Sequence, residues 1–189
     1  MISALSQDEE RNILIVSDIL AETADPRARA IVVCERRAHM ERLKGMLEEN
    51  YRMAETVSAI TRPGDLEHTI NRFDRGKLQV ICVTVRSLHL AKVKRVSHLF
   101  MASPVSHGEF VAQAVGKILW TKGEASRVFD YLDRPVALRG AFKKRLKIYG
   151  GKGVRYESNR KRGCLCAVTD ILPNSFKAEV KSQFDNIRH

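Results

Sequence analysis

The side chains of this chain best suited to chemistry are its cations, and they are unevenly spread. Residues 134–162 hold eleven Lys or Arg and one acid, Glu157, so this segment carries +10 of a formal net charge of +11. Such clustering is rewarded when neighbouring phosphates are neutralised and their condensed counterions released. Cationic surfaces can also be merely solvated, with Lys and Arg stems covering apolar area, but a segment this lopsided favours a polyanionic partner. Charge alone does not separate DNA from RNA or from an anionic membrane surface. Within the segment, Leu138, Phe142, Leu146 and Tyr149 recur at helical spacing, and Arg139, Lys143, Lys144 and Lys147 fall on other faces. That pattern predicts an amphipathic, strongly basic helix over 136–149. Tyr149 and Tyr156 could add base stacking.

The remaining reactive residue types form no catalytic constellation. Cys164 and Cys166 are close in sequence, but a zinc site needs four ligands and neither a second pair nor a nearby His supplies them, so no metal is expected. Cys34 and Cys82 lie in apolar runs and read as core residues of a reduced, cytoplasmic protein. His39 has no Ser or Cys nucleophile pattern beside it and reads as a helix-surface or packing histidine. There is no G-x-x-x-x-G-K-S/T phosphate loop and no Asp-Glu metal-binding strand, and the glycines at 150–153 do not replace them, so the chain lacks the elements that hold ATP and Mg²⁺. The opening MISALSQDEERN is acidic and polar, unlike a signal peptide. No segment approaches the roughly 18 apolar residues of a membrane span, so no membrane association is expected.

Five short apolar runs rich in β-branched residues, at 31–34, 57–60, 80–85, 98–102 and 128–132, read as strands. They are continuous rather than alternating, which suits strands covered on both faces, and helical spacing lies between most of them. A parallel α/β sheet follows. A first helix is expected to begin near Gln7 or Asp8 with Ile13, Val16 and Leu20 on one face, ending before Pro26. A second places Leu43, Met46 and Leu47 inward and stops at Asn50. A third takes Asp65 as N-cap, buries Leu66, Ile70 and Phe73, and stops at Gly76. A fourth has Phe110, Val111, Ala114, Val115 and Ile118 as its apolar face. Beyond Gly153 the periodicity fades, so 151–189 reads as a basic, irregular tail with one short helix near 175–186.

In this order, AIVVCERRAHMERLKGML (30–47), AITRPGDLEHTINRFDRGKLQVICVT (59–84), QAVGKILW (113–120) and SRVFDYLDRPVALRGAFKKRLKIYG (126–150) resemble the C-terminal RecA-like lobe of superfamily 2 DNA and RNA helicases. The branch resembled is the one that includes restriction-type and repair-type translocases, and the likeness covers roughly residues 12–150. It implies a three-layer, P-loop NTPase-like domain over 1–150 with a mainly parallel sheet of about five or more strands. The motif that normally reads Q-x-x-G-R-x-x-R reaches the phosphates of ATP in that family. Gln113, Gly116 and Lys117 match its nucleotide-cleft positions, but Lys117 and Trp120 stand where the two arginines should be. Lysine keeps the charge and loses the planar fork; tryptophan loses both. The block VTVRSLHLAKVKRVSHLF (83–100) also lacks the Gly and Asp that should follow its threonine to couple the ATP cleft to nucleic acid.

The resemblance also places Arg36, Thr61, Arg62 and Thr84 at carboxyl ends of strands, where ligands meet a parallel sheet and where the family holds the nucleic-acid backbone. Lys143, Lys144 and Lys147 would add an auxiliary basic surface. A two-lobed motor needs roughly twice this length, so ATP and Mg²⁺ would come only with a partner lobe. The implied function is a helicase C-terminal-like domain that binds nucleic acid, DNA in preference to RNA, without hydrolysing ATP by itself. Two other readings stand beside it. One is a regulatory module docking on a helicase or restriction complex, with Trp120 as an aromatic anchor; the other is a decayed remnant without activity.

Overall fold

A computed structural model describes residues 2–50, 54–57, 61–119, 126–133, 136–152, 157–158 and 167–168. In chain order the elements are α1 (Ile2–Gln7), α2 (Glu9–Glu22), β1 (Ala30–Cys34), α3 (Arg37–Glu49), β2 (Ala54–Val57), α4 (Pro63–Asp74) and β3 (Val80–Thr84). A 3₁₀ turn (Val85–Leu90) follows, then β4 (His98–Met101), α5 (Gly108–Leu119), β5 (Arg127–Asp130), α6 (Val136–Gly151), β6 (Glu157–Ser158) and β7 (Ala167–Val168).

The first five strands form one sheet in the order β2-β3-β1-β4-β5, and every pairing in it is parallel. The expected α/β class is therefore what the chain adopts. Successive strand residues point to opposite faces, and both faces are buried. Ile31, Val33, Ile81, Val83, Leu99, Met101 and Val128 meet Phe73, Leu88, Val111, Ala114, Val115 and Phe142 on one side. Val32, Cys34, Val80, Cys82, Phe100 and Phe129 meet Ile15, Ile19, Met40, Leu43 and Leu47 on the other. Hence α4, α5 and α6 form one outer layer, and α2 and α3 form the other. Each such aliphatic or aromatic side chain contributes about 1.5–3 kcal/mol by leaving water.

The edge strand was displaced from its expected place. A strand at 57–60 was read from the apolar run, but β2 is Ala54–Val57, and 58–60 lie outside the described residues. Its Glu55 and Thr56 are half-buried, as suits a strand at the end of the sheet order, and Glu55 accepts an ion-paired hydrogen bond from Arg72 at 2.8 Å. Polar residues on a partly exposed edge interrupt the run on which the reading depended.

Helix faces needed adjustment too. In α2 the buried positions are Arg11, Asn12, Ile15, Val16 and Ile19, whereas Ile13 is 53% exposed. The stripe is continued by two polar residues, so an apolar count placed the face one residue off. Asp8 caps α2 by accepting from the Arg11 amide at 3.0 Å, and the separate α1 before it was not anticipated. The N-cap of α4 is Arg62 with Pro63 in the first turn, not Asp65, which sits inside that turn. Proline needs no amide partner there and carries a suitable φ. Among the described residues of the tail, β6 and β7 pair antiparallel; the short helix expected near 175–186 lies outside them.

The end of α4 shows why one glycine is required. Gly76 has φ 79°, its amide donates to Phe73 O at 3.0 Å, and Lys77 N reaches back to Arg72 O at 2.9 Å. A Cβ on Gly76 would collide with the Arg29 guanidinium, whose Nε donates to Phe73 O at 3.1 Å. Gly45, by contrast, lies within α3 and a Cβ there meets nothing within 4 Å. Gly76→Ala should cost about 1–2 kcal/mol and Gly45→Ala should gain roughly 0.5–1 kcal/mol. Urea denaturation midpoints of the two variants moving in the same direction would contradict this account.

Candidate functional site

A parallel sheet delivers all its carboxyl ends to one edge, and crevices form there where neighbouring strands send the chain to opposite faces. In this sheet β1 leads into α3 on one face, while its neighbours β3 and β4 lead into the 3₁₀ turn and α5 on the other. The end of β1 is therefore flanked by crevices on both sides. Thr84 stands level with Cys34 in the register, and Arg36 follows two residues beyond as the exposed N-cap of α3, without a side-chain capping bond. Arg62, also exposed, precedes α4 beyond β2, and Thr61 beside it is half-buried. Arg62, Thr84 and Arg36 thus follow three adjacent strands of one edge. The Thr84 hydroxyl is half-buried and donates to Ser87 Oγ at 2.8 Å.

Beneath this edge runs a directional chain of hydrogen bonds centred on His39, which is 2% exposed. The Glu35 amide donates to Ser103 Oγ at 3.0 Å, and the Ser103 hydroxyl lies 3.3 Å from His39 Nδ1. His39 Nε2 lies 2.9 Å from Asn12 Oδ1, and Asn12 Nδ2 donates to Ser6 O at 3.1 Å. Asn12 Oδ1 can only accept, so Nε2 carries the ring proton and Nδ1 accepts from Ser103. Burial first, then the cations Arg11 and Arg42, lower the His39 pKa to about 4. The imidazole is neutral, and its place is structural. Beside it, buried Arg11 donates from Nε to Asp133 Oδ1 at 2.6 Å and from Nη1 to Ala102 O at 2.8 Å, with the guanidinium 5.8 Å from the Tyr131 ring centre. Arg11, Asn12 and Ser103 were missed from sequence; the only signal was that Arg11 and Asn12 share the helical face of Ile15 and Ile19.

The basic helix is also tied to this edge. Arg145, 1% exposed, grips both carboxylate oxygens of Asp130 at 2.6 and 2.9 Å and donates to Val105 O at 3.0 Å. Tyr149 donates to Asp130 Oδ2 at 2.7 Å, and burial first, then that carboxylate, push its phenol well above the usual range. Asp130 ends β5 and Val105 follows β4, so the anchor fixes the second half of α6 near the carboxyl edge. Leu138, Phe142, Leu146 and Tyr149 are buried as the spacing predicts, while Arg139, Lys143, Lys144 and Lys147 are exposed. One cation of the basic cluster, Arg145, is thus internal and unavailable to a partner.

Gln113, Gly116 and Lys117 all lie on α5. Gln113 is exposed, and a Cβ added at Gly116 would meet nothing within 4 Å. Lys117 is half-buried, and its ammonium donates to Ala91 O at 2.7 Å. Desolvation first, then nearby Lys92, lower its pKa from the usual value. Trp120 lies outside the described residues, as do Cys164 and Cys166. Among the described residues no three His, Cys, Asp or Glu side chains could hold a metal ion, and no helix is long and apolar enough to cross a membrane. Cys34 and Cys82 are buried and unbridged; burial raises both thiols, Cys82 to about 12, so neither is a ready nucleophile.

No family model matches this sequence, and no curated protein does. Solved structures do match. The E. coli DEAD-box protein SrmB, in a structure bound to regulator of ribonuclease activity A, superposes over 64% of this chain and 69% of its own, with a TM-score of 0.55 and 20% identity. The C-terminal part of the Fun30 ATPase domain matches over 75% of this chain with a TM-score of 0.62 and 8% identity. The Pyrococcus furiosus Hef helicase domain matches over 71%, with a TM-score of 0.54 and 13% identity. This chain shares its fold with these helicase and ATPase domains. The match is to a RecA-like architecture. This chain spans only 49% of the Fun30 chain and 28% of the Hef chain.

The His39 chain makes the stability of this fold sensitive to acid. Unfolded His39 takes up a proton near pH 6.5, whereas the folded ring resists until about pH 4. Its contribution is therefore full above pH 6.5 and is lost as pH falls towards 4, by on the order of 3 kcal/mol. His39→Gln should be less stable than the wild type at pH 7, and the gap should narrow by pH 5. Chemical denaturation of both proteins across that window checks it; a constant gap would show that His39 does not titrate as described.

Proposed function

We propose that this chain is a helicase C-terminal-like domain that binds the nucleic-acid backbone along the carboxyl edge of its sheet and does not hydrolyse ATP by itself. The observation that carries this reading is the Arg145 anchor, which holds the lysine-bearing face of α6 at the edge where Arg36, Arg62 and Thr84 emerge. Lys143, Lys144 and Lys147 are exposed, and α6 itself contains no acid to pair with them. A strand tracking that edge would meet guanidinium and hydroxyl donors at the strand ends and lysines beside them. Such contacts fix position without reading base sequence. DNA is preferred to RNA in this proposal because the resembling blocks are those of the restriction and repair branch.

The missing phosphate loop and Asp-Glu strand support the second half of the reading, together with the engaged state of Lys117. ATP and Mg²⁺ would bind only between this domain and a separate lobe carrying those elements. Neutralising Lys143, Lys144 and Lys147 together to Gln should weaken binding of single-stranded DNA and reduce the slope of log affinity against log salt by about 2. A fluorescence-anisotropy titration from low to physiological salt provides the measurement. Absence of binding by the wild type at low salt would overturn the proposal. So would ATP hydrolysis by the purified chain that survives Lys117→Ala.

A further inference from the structure

The engaged ammonium of Lys117 suggests a different use for the motif helix, one that rests on the backbone-binding reading above. The segment after β3 leaves Thr84, whose hydroxyl is tied to Ser87, runs through the 3₁₀ turn with Val85 and Leu88 in the core, and closes at Ala91. Ala91 is fully buried, and its amide donates to Leu88 O at 3.2 Å, while Lys92 N donates to Leu90 O at 2.8 Å. Its carbonyl receives Lys117 Nζ. One end of the turn is thus set by Thr84 and the other by a cation from α5.

A buried carbonyl of this kind needs a donor, and an ammonium supplies a stronger bond than a neutral group would. We propose that Lys117 is a positioning residue that pins the end of the Val85–Leu90 turn, and through it the Thr84 strand end, rather than a ligand for a phosphate. The pin needs no nucleotide and no second lobe. It holds the strand-end hydroxyl in one place by a contact internal to the chain, so backbone binding by this domain is insensitive to ATP. A lysine serves this role better than the family's arginine would serve it here, since one carbonyl needs one donor rather than a planar fork.

Lys117→Met keeps the stem and removes the donor; Lys117→Arg restores a donor that can reach the same carbonyl. Hydrogen exchange at the amides of Leu88 to Lys92 should quicken about tenfold in the Met variant and return towards wild type in the Arg variant. Single-stranded DNA should bind the Met variant several-fold more weakly with an unchanged salt slope, because no phosphate contact has been removed. A slope reduced by about 1 would make Lys117 a phosphate ligand and overturn the proposal. Unchanged exchange in the Met variant would overturn it equally. If the wild type binds no nucleic acid, the function proposed above falls, while the exchange measurement still decides whether the pin exists.

Discussion

Every backbone group that the sheet leaves unpaired at its buried carboxyl edge must find a partner in the protein. Much of the site's architecture answers that requirement, and the answer is mostly cationic. Ala102 O is met by Arg11, Val105 O by Arg145 and Ala91 O by Lys117, while the Glu35 amide is met by Ser103. Removing one of these donors would leave a buried carbonyl without its bond, which costs more than the bond itself contributes in water. The loops that shape the crevices beside β1 are held by these side chains, and the exposed residues take their positions from the loops.

This division of labour changes what the net charge means. Part of the positive charge is spent internally: Arg11 and Arg145 are both buried against carboxylates. Buried ion pairs are weak contributors to stability when compared with apolar packing, yet breaking one leaves an uncompensated charge. Asp130 illustrates the constraint, since it accepts from Arg145 and Tyr149 at once. Among the exposed cations, Arg36 and Arg62 stand at the carboxyl edge of the sheet, and Arg139, Lys143, Lys144 and Lys147 lie on α6.

The parallel sheet was legible in the sequence because four of the five strands are apolar on both faces, and residue pairs such as Ile31 and Val32 serve different layers with equal hydrophobicity. The two half-buried polar residues of β2 displaced the fifth from 57–60 to 54–57. Thr84 and Arg36 could be placed at strand ends because β1 and β3 end where their apolar runs end. The His39 chain could not be, since it joins three distant segments, at Ser6 and Asn12, at Glu35 and His39, and at Ser103, and each residue alone is an ordinary polar one. Lys117 shows the limit of a motif: its position on α5 was legible, but the carbonyl that it meets is 26 residues away.

The central position of β1 has a consequence for the newborn chain. It precedes both of its partners, and β3 and β4 follow only after two further helices and a strand have emerged, for β3 and β4 begin at Val80 and His98. The α2 layer must wait longer still, because Arg11 meets Asp133 across 122 residues. Closing such long loops before their contacts can form is slow. During synthesis the apolar strand AIVVC therefore remains without hydrogen-bonded neighbours for much of the chain's length, and this early segment is where a chaperone would have most to protect.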